Sequence, residues 1–360
     1  MNELNSYTTE AIKLLKKMIS IPSFSKEELE VADLVYAWLK DNGLNPSRKN
    51  NNIWIKDENF DQEKPTILLN SHIDTVKPGE KWTCDPFIPT CENDKITGLG
   101  SNDAGASVVS LIQSYLLLRK KHQPYNLILA ITAEEEISGT NGFRSILDEL
   151  GKIDLGVVGE PTQMQMAIAE RGLLVLDCYV EGQTGHAARN EGVNAIYKAI
   201  PAIEWFKNHP FQESKGLLGP VKMTVTQVDA GKQHNVIPDM CHFVVDVRIN
   251  ESYSNKQLYE EIAKSVDFRV VPRSFHLNSS YISEDHPVVM KGKELGLTTY
   301  GSPTTSDQAV MPFTTIKIGP GDSARSHTPD EYILESEIKN SIQTYFLLLN
   351  QLDIGAFVTK

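Results

Sequence analysis

The sequence predicts an α/β chain in which a larger domain built on parallel strands is interrupted by a smaller, ferredoxin-like domain of β-α-β-β-α-β order. Three observations carry that expectation. Short apolar runs alternate with helical segments as far as about residue 160. Between about 171 and 283 the pattern changes to alternating strands separated by helices. The length of 360 residues also exceeds the size at which a single core usually keeps growing.

The N-terminus reads as an amphipathic helix carrying Glu10 and the pair Lys16-Lys17. A second helix opens with Ser25 and Glu28 in capping-box spacing, shows Leu29, Ala32, Tyr36 and Leu39 on one face, and stops at Asn42-Gly43. Thr66 to Leu69 is an apolar run that ends at His72, Leu127 to Ile131 ends before Glu135, and Leu155 to Val158 ends before Glu160. Continuous runs of this kind mark parallel strands buried on both faces. A fourth, Thr314 to Ile318, leads through Gly319-Pro320-Gly321 to His327. Helical segments at roughly 105–121 and 140–150 complete right-handed βαβ units.

The smaller domain reads as a strand Leu173 to Val180, a helix from about Val193 to Asn208, strands near Val221 to Val228 and His242 to Ile249, a helix Asn255 to Val266, and a strand Phe268 to Val271. The α/β pattern resumes after about residue 284, and Glu335 to Leu349 is the closing helix. The expected domains are therefore 1–170 with 284–360, and 171–283.

Composition narrows the function. Lys plus Arg is 35 and Asp plus Glu 47, a net charge of −12, which disfavours nucleic acid or an anionic membrane as partner. The most apolar stretch, Val108 to Leu118, is broken by Ser110, Gln113 and Ser114 and is too short to span a bilayer. Cys84, Cys91, Cys178 and Cys241 lack CxxC spacing, and nothing at the N-terminus resembles a secretory signal, so reduced thiols in a cytoplasm are expected.

Five side chains able to hold a cation stand at the ends of the apolar runs or in the loops beside them: His72, Asp103, Glu136, Glu160 and His327. Loops at one edge of an α/β sheet surround one crevice, so residues distant in sequence meet there. Histidine with carboxylates and no thiolate suits hydrolytic zinc, and a carboxylate between two ions can bridge them at about 3.5 to 4 Å. Asp103 is the candidate bridge, delivered by Gly100-Ser101-Asn102 to a helix that starts near Gly105. Asp74, two residues beyond His72 on the same side of an extended chain, can orient the imidazole. A lone loop histidine or a glutamate triplet at a helix start is ordinarily a solvated surface feature. Glu134-Glu135-Glu136 fits that description poorly, because it follows directly on a buried strand, where like charges call for a cation.

These stretches resemble the co-catalytic zinc amidohydrolases, the family of acetylornithine deacetylase, succinyl-diaminopimelate desuccinylase, aminoacylase and carboxypeptidase G, with acetylornithine and acetylcitrulline deacetylases the most similar. The resemblance covers nearly the whole chain. It rests on Ser71 to Thr75, Gly98 to Gly105, Glu134 to Gly142, Gly159 to Thr162, Gly185 to Ala188, Asn235 to Pro238 and Ser326 to Glu331. It implies a mixed-sheet catalytic domain holding two zinc ions, with cobalt or manganese as alternatives, and a smaller lid through which two copies dimerise. His72 and Glu160 would hold one ion, Glu136 and His327 the other, and Asp103 both, with Glu135 as general base.

By the same resemblance His186 reaches across the dimer to the oxyanion, Asn235 makes a similar contact, and Arg248 takes the substrate α-carboxylate. Read without it, His186 is a surface-loop histidine and Arg248 a charge flanking a strand. Thr304 to Asp307 and Gly319 to Gly321 line the pocket in relatives; as bare sequence they equally read as a helix cap and a turn. The chain departs from the family at Glu134, where relatives usually carry Asp, and at Asp103-Ala104-Gly105-Ala106, where many read Asp-Met-Lys-Gly.

The implied reaction is hydrolysis of the amide of an N-acyl amino acid, N-acetylornithine, N-acetylcitrulline or an N-succinyl analogue, in arginine biosynthesis. Succinyl-diaminopimelate desuccinylation, dipeptide hydrolysis and a metal-binding module without turnover are the alternatives. Glutamate rather than aspartate at position 160 resembles the deacylases, and an intact Glu135 speaks against the inert module.

Overall fold

A computed structural model of the chain describes residues 2–57, 60–211 and 216–357. It divides into a larger unit, Met1–Ile168, Tyr281–Tyr300 and Ser306–Lys360, and a smaller one, Ala169–Ser280 and Gly301–Thr305.

The larger unit is built on a mixed sheet. Its strands follow the order Ser47–Lys49, Asn52–Lys56, Asn126–Thr132, Thr66–His72, Leu155–Val158, Thr315–Lys317, Met166–Glu170. Neighbours from Asn126–Thr132 through Thr315–Lys317 are parallel, and the flanking Asn52–Lys56 and Met166–Glu170 are antiparallel to them. Alternate side chains serve opposite faces, as a pleated strand requires. Ile67 and Leu69 join a core with Leu14, Leu15, Val108, Ile112 and Ile342 from the helices Asn2–Ile19, Ala106–Leu118 and Glu335–Leu349, whereas Leu68 packs with Trp54, Phe143 and Ile146. The helix Ala106–Leu118 lies inside this core, where two of its serines find partners: Ser114 Oγ donates to Ser110 O at 2.7 Å and Ser341 Oγ to Ser110 Oγ at 2.7 Å. Among the described residues no helix is long and apolar enough to cross a membrane.

The smaller unit is an antiparallel sheet in the order Lys222–Ala230, Met240–Ile249, Gly172–Glu181, Arg269–Pro272, with chain order β-α-β-β-α-β. Leu174, Leu176, Cys178 and Val180 alternate inward to meet Phe206 of the helix Ala195–Asn208 and Ile262 of Asn255–Ser265. Ser254 and Gln257 form a reciprocal capping box on the second of these helices. Gly301–Thr305 belongs to this unit rather than to the larger one. The reason is local bonding: Arg171 N–H donates to Ser302 O at 3.1 Å and Thr305 Oγ1 to Arg171 O at 3.2 Å.

The capping expected from Ser25 and Glu28 does not form. The helix Leu29–Asp41 has Glu28 at its N-cap without a side-chain cap, and Ser25 Oγ instead donates to Asp74 Oδ2 at 2.7 Å. Its buried face is Val31, Ala32, Val35 and Leu39, while Leu29 is 58% exposed. A polar cluster elsewhere in the unit claimed both side chains that the local spacing assigned to the helix.

Candidate metal centre

Register brings the C-terminal ends of the parallel strands level. His72, the last residue of its strand, pairs with Thr132, and Val158 lies beside both Asn70 and Lys317. His72, the loop 134–136, Glu160 and the loop to His327 leave the sheet at this one edge.

Asp103 arrives from another direction, in the turn Ser101–Gly105 that follows Gly100, and its own backbone there is non-helical. Gly100 has φ 74°, and a Cβ there would stand 2.6 Å from Thr75 Cγ2, so glycine is required on both counts. Glu331, 2% exposed, gathers the backbone N–H groups of Gly100, Asn102 and Asp103 at 3.1, 2.8 and 2.9 Å. Sequence reasoning gave Glu331 no role; its only signal is an acid at the end of the His327 segment. The Asp103-Ala104 peptide bond is cis.

Glu160 is seated by close backbone approaches. A Cβ on Gly159 would meet Leu111 and Ser107 at 2.8 and 2.9 Å, and one on Gly319 would lie 2.4 Å from Glu160 O. Gly319 N–H donates to Thr162 Oγ1 at 3.0 Å and its carbonyl accepts Met164 N–H at 2.8 Å. The Gly-Pro-Gly loop thus braces the Glu160 loop. Ser306, by contrast, caps the short 3-10 helix Asp307–Val310.

Two groups of side chains can each surround a cation: His72, Asp103 and Glu160, and Asp103, Glu136 and His327, with ligand atoms within 4.8 Å of one another in each. Asp103 belongs to both, with Oδ1 3.3 Å from His72 Nε2 and Oδ2 3.7 Å from His327 Nε2. Glu135 Oε2 stands 3.8 Å from His72 Nε2. Glu134 does not join the cluster: its carboxylate turns away and accepts Asn141 N–H and Nδ2–H at 3.1 and 3.0 Å. The triplet therefore brings two charges to the edge, not three. Asp74 accepts the N–H groups of Glu135 and Glu136 at 3.0 and 3.1 Å and lies 3.4 Å from His72 Nδ1, which also contacts Asp74 O at 3.0 Å.

A direct sign of fit to a cation lies in two bare atoms. His72 Nε2 and Glu160 Oε1 are buried, 3.7 Å apart, and without a hydrogen-bond partner among the described residues. Such groups are costly to leave unpaired, and a divalent ion satisfies both. Imidazole with carboxylates is also a suitable donor set for zinc and its neighbours.

Burial dominates the electrostatics. It pushes the Glu160 carboxyl up to about 8, opposed by His72, reinforced by Asp103, and opposed again by the buried Lys317, which sequence reasoning did not single out. Burial likewise drives Glu135 well above the ordinary carboxylate range, with His72 opposing and Glu160, Asp307 and Glu136 adding. His72 loses by burial, yet Glu135 and the neighbouring carboxylates of Asp103 and Asp74 hold it well above its ordinary value. For Asp103 and Asp74 burial works upward, but the His72 imidazole beside them wins and both lie low. His327 is raised to about 9, chiefly by its hydrogen bond to Glu136, Nε2 to Oε1 at 3.1 Å.

The family model described as Peptidase family M20/M25/M40 matches residues 68–351. The chain belongs to this family. As an M20 hydrolase it is 27% identical over 350 residues to a peptidase M20 domain-containing protein of Schizosaccharomyces pombe, covering 93% of this chain and 82% of the relative. It is 26% identical over 377 residues to the succinyl-diaminopimelate desuccinylase of Xylella fastidiosa, covering 96% and 99%. The M20 fold is shared with the crystal structure of aminopeptidase PepT from Bacillus cereus, at a TM-score of 0.75 and 18% identity over 96% of this chain and 98% of that one. It is shared too with Bacillus subtilis YXEP, described as a dinuclear metal binding peptidase of the M20 family, at 0.71 and 17% over 97% and 100%.

The remaining candidates of this M20 chain lie in the smaller unit. His186, in the short strand Gly185–His186, pairs with Val236, and Ala187 N–H donates to Asn235 O at 3.0 Å, so His186 and Asn235 are neighbours. Arg248 holds Asp246 in a two-pronged contact, Nε to Oδ1 at 2.8 Å and Nη2 to Oδ2 at 3.0 Å, and Nη1 meets Thr305 Oγ1 at 3.3 Å. Residues two apart on a strand share a face, which is why that partner is at hand.

Protons would compete with a cation for the candidate ligands of the larger unit. With Glu160 near 8 and His327 near 9, both are protonated at pH 7 in the metal-free chain, and ligation must expel those protons. Zinc uptake is therefore expected to release protons, and apparent affinity should climb as pH rises through 8 to 9. Calorimetric titration in two buffers of different ionisation enthalpy measures this; an affinity indifferent to pH over that window would contradict it.

Proposed function

We propose that this M20 chain hydrolyses the amide bond of an N-acyl amino acid, releasing a carboxylic acid and a free amine, with Glu135 as general base. The observation that carries the reading is the pair of ligand groups sharing Asp103, with Glu135 beside them. We infer that His72, Asp103 and Glu160 hold one divalent ion and Asp103, Glu136 and His327 the other, zinc with cobalt or manganese as alternatives. Once bound, the ions polarise the scissile carbonyl and make water nucleophilic at neutral pH.

Glu135 takes a proton from the attacking water and passes it to the departing nitrogen. Its place beside both ligand groups lets one carboxylate serve both transfers. Asp74 anchors the imidazole of His72 and the peptide of Glu135 together, so ligand and base keep one spacing. In this reading His186 donates to the oxyanion, accompanied by Asn235, both from a second copy in a homodimer formed through the smaller unit. Arg248 takes the substrate carboxylate, sharing its guanidinium with Asp246.

The substrates in view are N-acetylornithine, N-acetylcitrulline and an N-succinyl analogue, which would place the reaction in arginine biosynthesis. A second reading has a specific support: several relatives are named succinyl-diaminopimelate desuccinylase, so an N-succinyl amide stands level with an N-acetyl one. Dipeptide cleavage ranks after both, because Glu160 resembles the deacylases.

The first test measures amine release from N-acetyl and N-succinyl ornithine, citrulline and diaminopimelate and from dipeptides, with zinc and with chelator. Cleavage of one acyl amino acid, lost with chelator, is expected; cleavage of dipeptides alone would sink the deacylase reading. In Glu135→Gln turnover should fall by about two to four orders of magnitude with metal content unchanged, and surviving activity would remove Glu135 as the base. Arg248→Ala should weaken carboxylate substrates by about 1.5–3 kcal/mol, read as a raised KM; unaltered kinetics would take Arg248 out of the pocket. Sedimentation of the active species should show a dimer, and a fully active monomer would refute the contact in trans.

A further inference from the structure

Beyond Thr132 the chain leaves the sheet, and its next peptide N–H groups are received one after another by side chains. Ala133 N–H donates to Asn52 Oδ1 at 3.0 Å, Glu134 N–H to Glu28 Oε1 at 3.3 Å, Glu135 N–H to Asp74 Oδ1 at 3.0 Å and Glu136 N–H to Asp74 Oδ2 at 3.1 Å. Asp74 belongs to the centre already described. Glu28, Asn52 and Glu134 do not touch it, yet they determine where the segment carrying Glu135 runs.

Glu28 is completely buried. Its Oε1 also accepts Lys26 N–H at 2.6 Å, and its Oε2 accepts Asn51 Nδ2–H at 2.9 Å. Glu134 has φ 56°, a conformation unusual for a side chain of its size. It is held there from both ends: its carbonyl accepts Gly139 N–H at 2.8 Å, and its carboxylate takes Asn141 N–H and Nδ2–H. A Cβ on Gly139 would come 1.9 Å from Glu134 Oε2, so the glycine leaves the space the carboxylate fills. Asn52 closes the circuit, because its Nδ2 donates to Asn141 O at 2.5 Å while its Oδ1 holds Ala133.

We propose that Glu28 and Glu134 are positioning residues for Glu135, fixing the backbone turn from which the base projects. The proposal rests on the reading of Glu135 as base. Burying a carboxylate is unfavourable, and simple space-filling would be met by an apolar side chain. What a carboxylate adds is two acceptor oxygens at fixed spacing, which a loop without ladder bonds needs. Small displacements of a reacting group are enough to slow catalysis.

Glu28→Gln keeps the shape but must aim its amide N–H₂ either at Asn51 Nδ2 or at the N–H groups of Lys26 and Glu134. Asn51 cannot turn over freely to relieve this, since its Oδ1 faces Arg48 Nη2. Asn51→Asp supplies an oxygen to both neighbours, so E28Q/N51D restores the pairing. In metal-loaded, fully folded protein, with the amide of the panel that is cleaved fastest, E28Q should lower kcat by about fivefold to a hundredfold. KM should stay within about twofold and metal content should not change. The double variant should regain most of the loss.

A wild-type kcat in E28Q, or a double variant that recovers melting temperature but not kcat, would overturn the proposal. If E28Q does not fold, Glu134→Ala serves in its place, because it strips Asn141 of its acceptor, and an unchanged kcat there has the same meaning. Amide hydrogen exchange across residues 133–136 is the arm that needs no substrate: protection should fall in E28Q and return in E28Q/N51D, and unchanged protection counts against the idea. Failure of the base reading shows separately, as turnover that survives Glu135→Gln.

Discussion

Carboxylate charge gathered at a buried edge is the condition on which the rest of the larger unit depends. Asp103 must face His72 with one oxygen and His327 with the other. Glu160 and Glu135 are pushed toward the protonated form by the same burial. A low-dielectric site of this kind is unfavourable while its charges stand without counter-ions. The orphaned Nε2 of His72 and Oε1 of Glu160 are the visible trace of that demand.

Peptide N–H groups, beside the imidazoles of His72 and His327, help hold such a cluster against its own repulsion. Glu331 accepts three of them around Asp103, and Asp74 accepts two around Glu135. Hydrogen bonds to a charged acceptor are among the stronger ones, and each fixes a loop that the sheet itself no longer controls. Glycines do the complementary work by omission. Gly319 lets one loop lie directly on the carbonyl of Glu160, and Gly139 leaves room for a carboxylate. Acid and glycine thus cooperate at each turn, one supplying the bond and the other the space.

The smaller unit handles charge differently. On the sheet face opposite its helices, Arg248 is held by Asp246, and Asp177 is shared by Arg273 and His242, the latter stacked on Tyr179. Arg273 and His242 hold Asp177 down at about 2, so it stays ionised and the face keeps paired charges across the neutral range. An arginine in such a layer is preorganised, because its partner on the same strand limits the rotamers it can lose on binding.

The parallel strands were legible in sequence because strands buried on both faces must be continuously apolar, and the polar residues that end them stand out for that reason. The β-α-β-β-α-β order was equally plain, since alternation with period two is set by the pleat alone. Residue types at the candidate centre were visible for the same cause: His72, Glu135, Glu136 and Glu160 interrupt apolar pattern where solvent or a cation must begin. What the sequence could not decide was which neighbour each polar group would choose. Ser25 and Glu28 stand in capping-box spacing, yet both bond to residues far along the chain. Glu134 looks identical to Glu135 and Glu136 but turns the other way, and Glu331 and Lys317 carry no local sign of the charges they face. Spacing along the chain records local geometry and burial, which one segment can satisfy by itself. The partners of buried polar groups are selected by long-range packing, and only the assembled tertiary structure determines them.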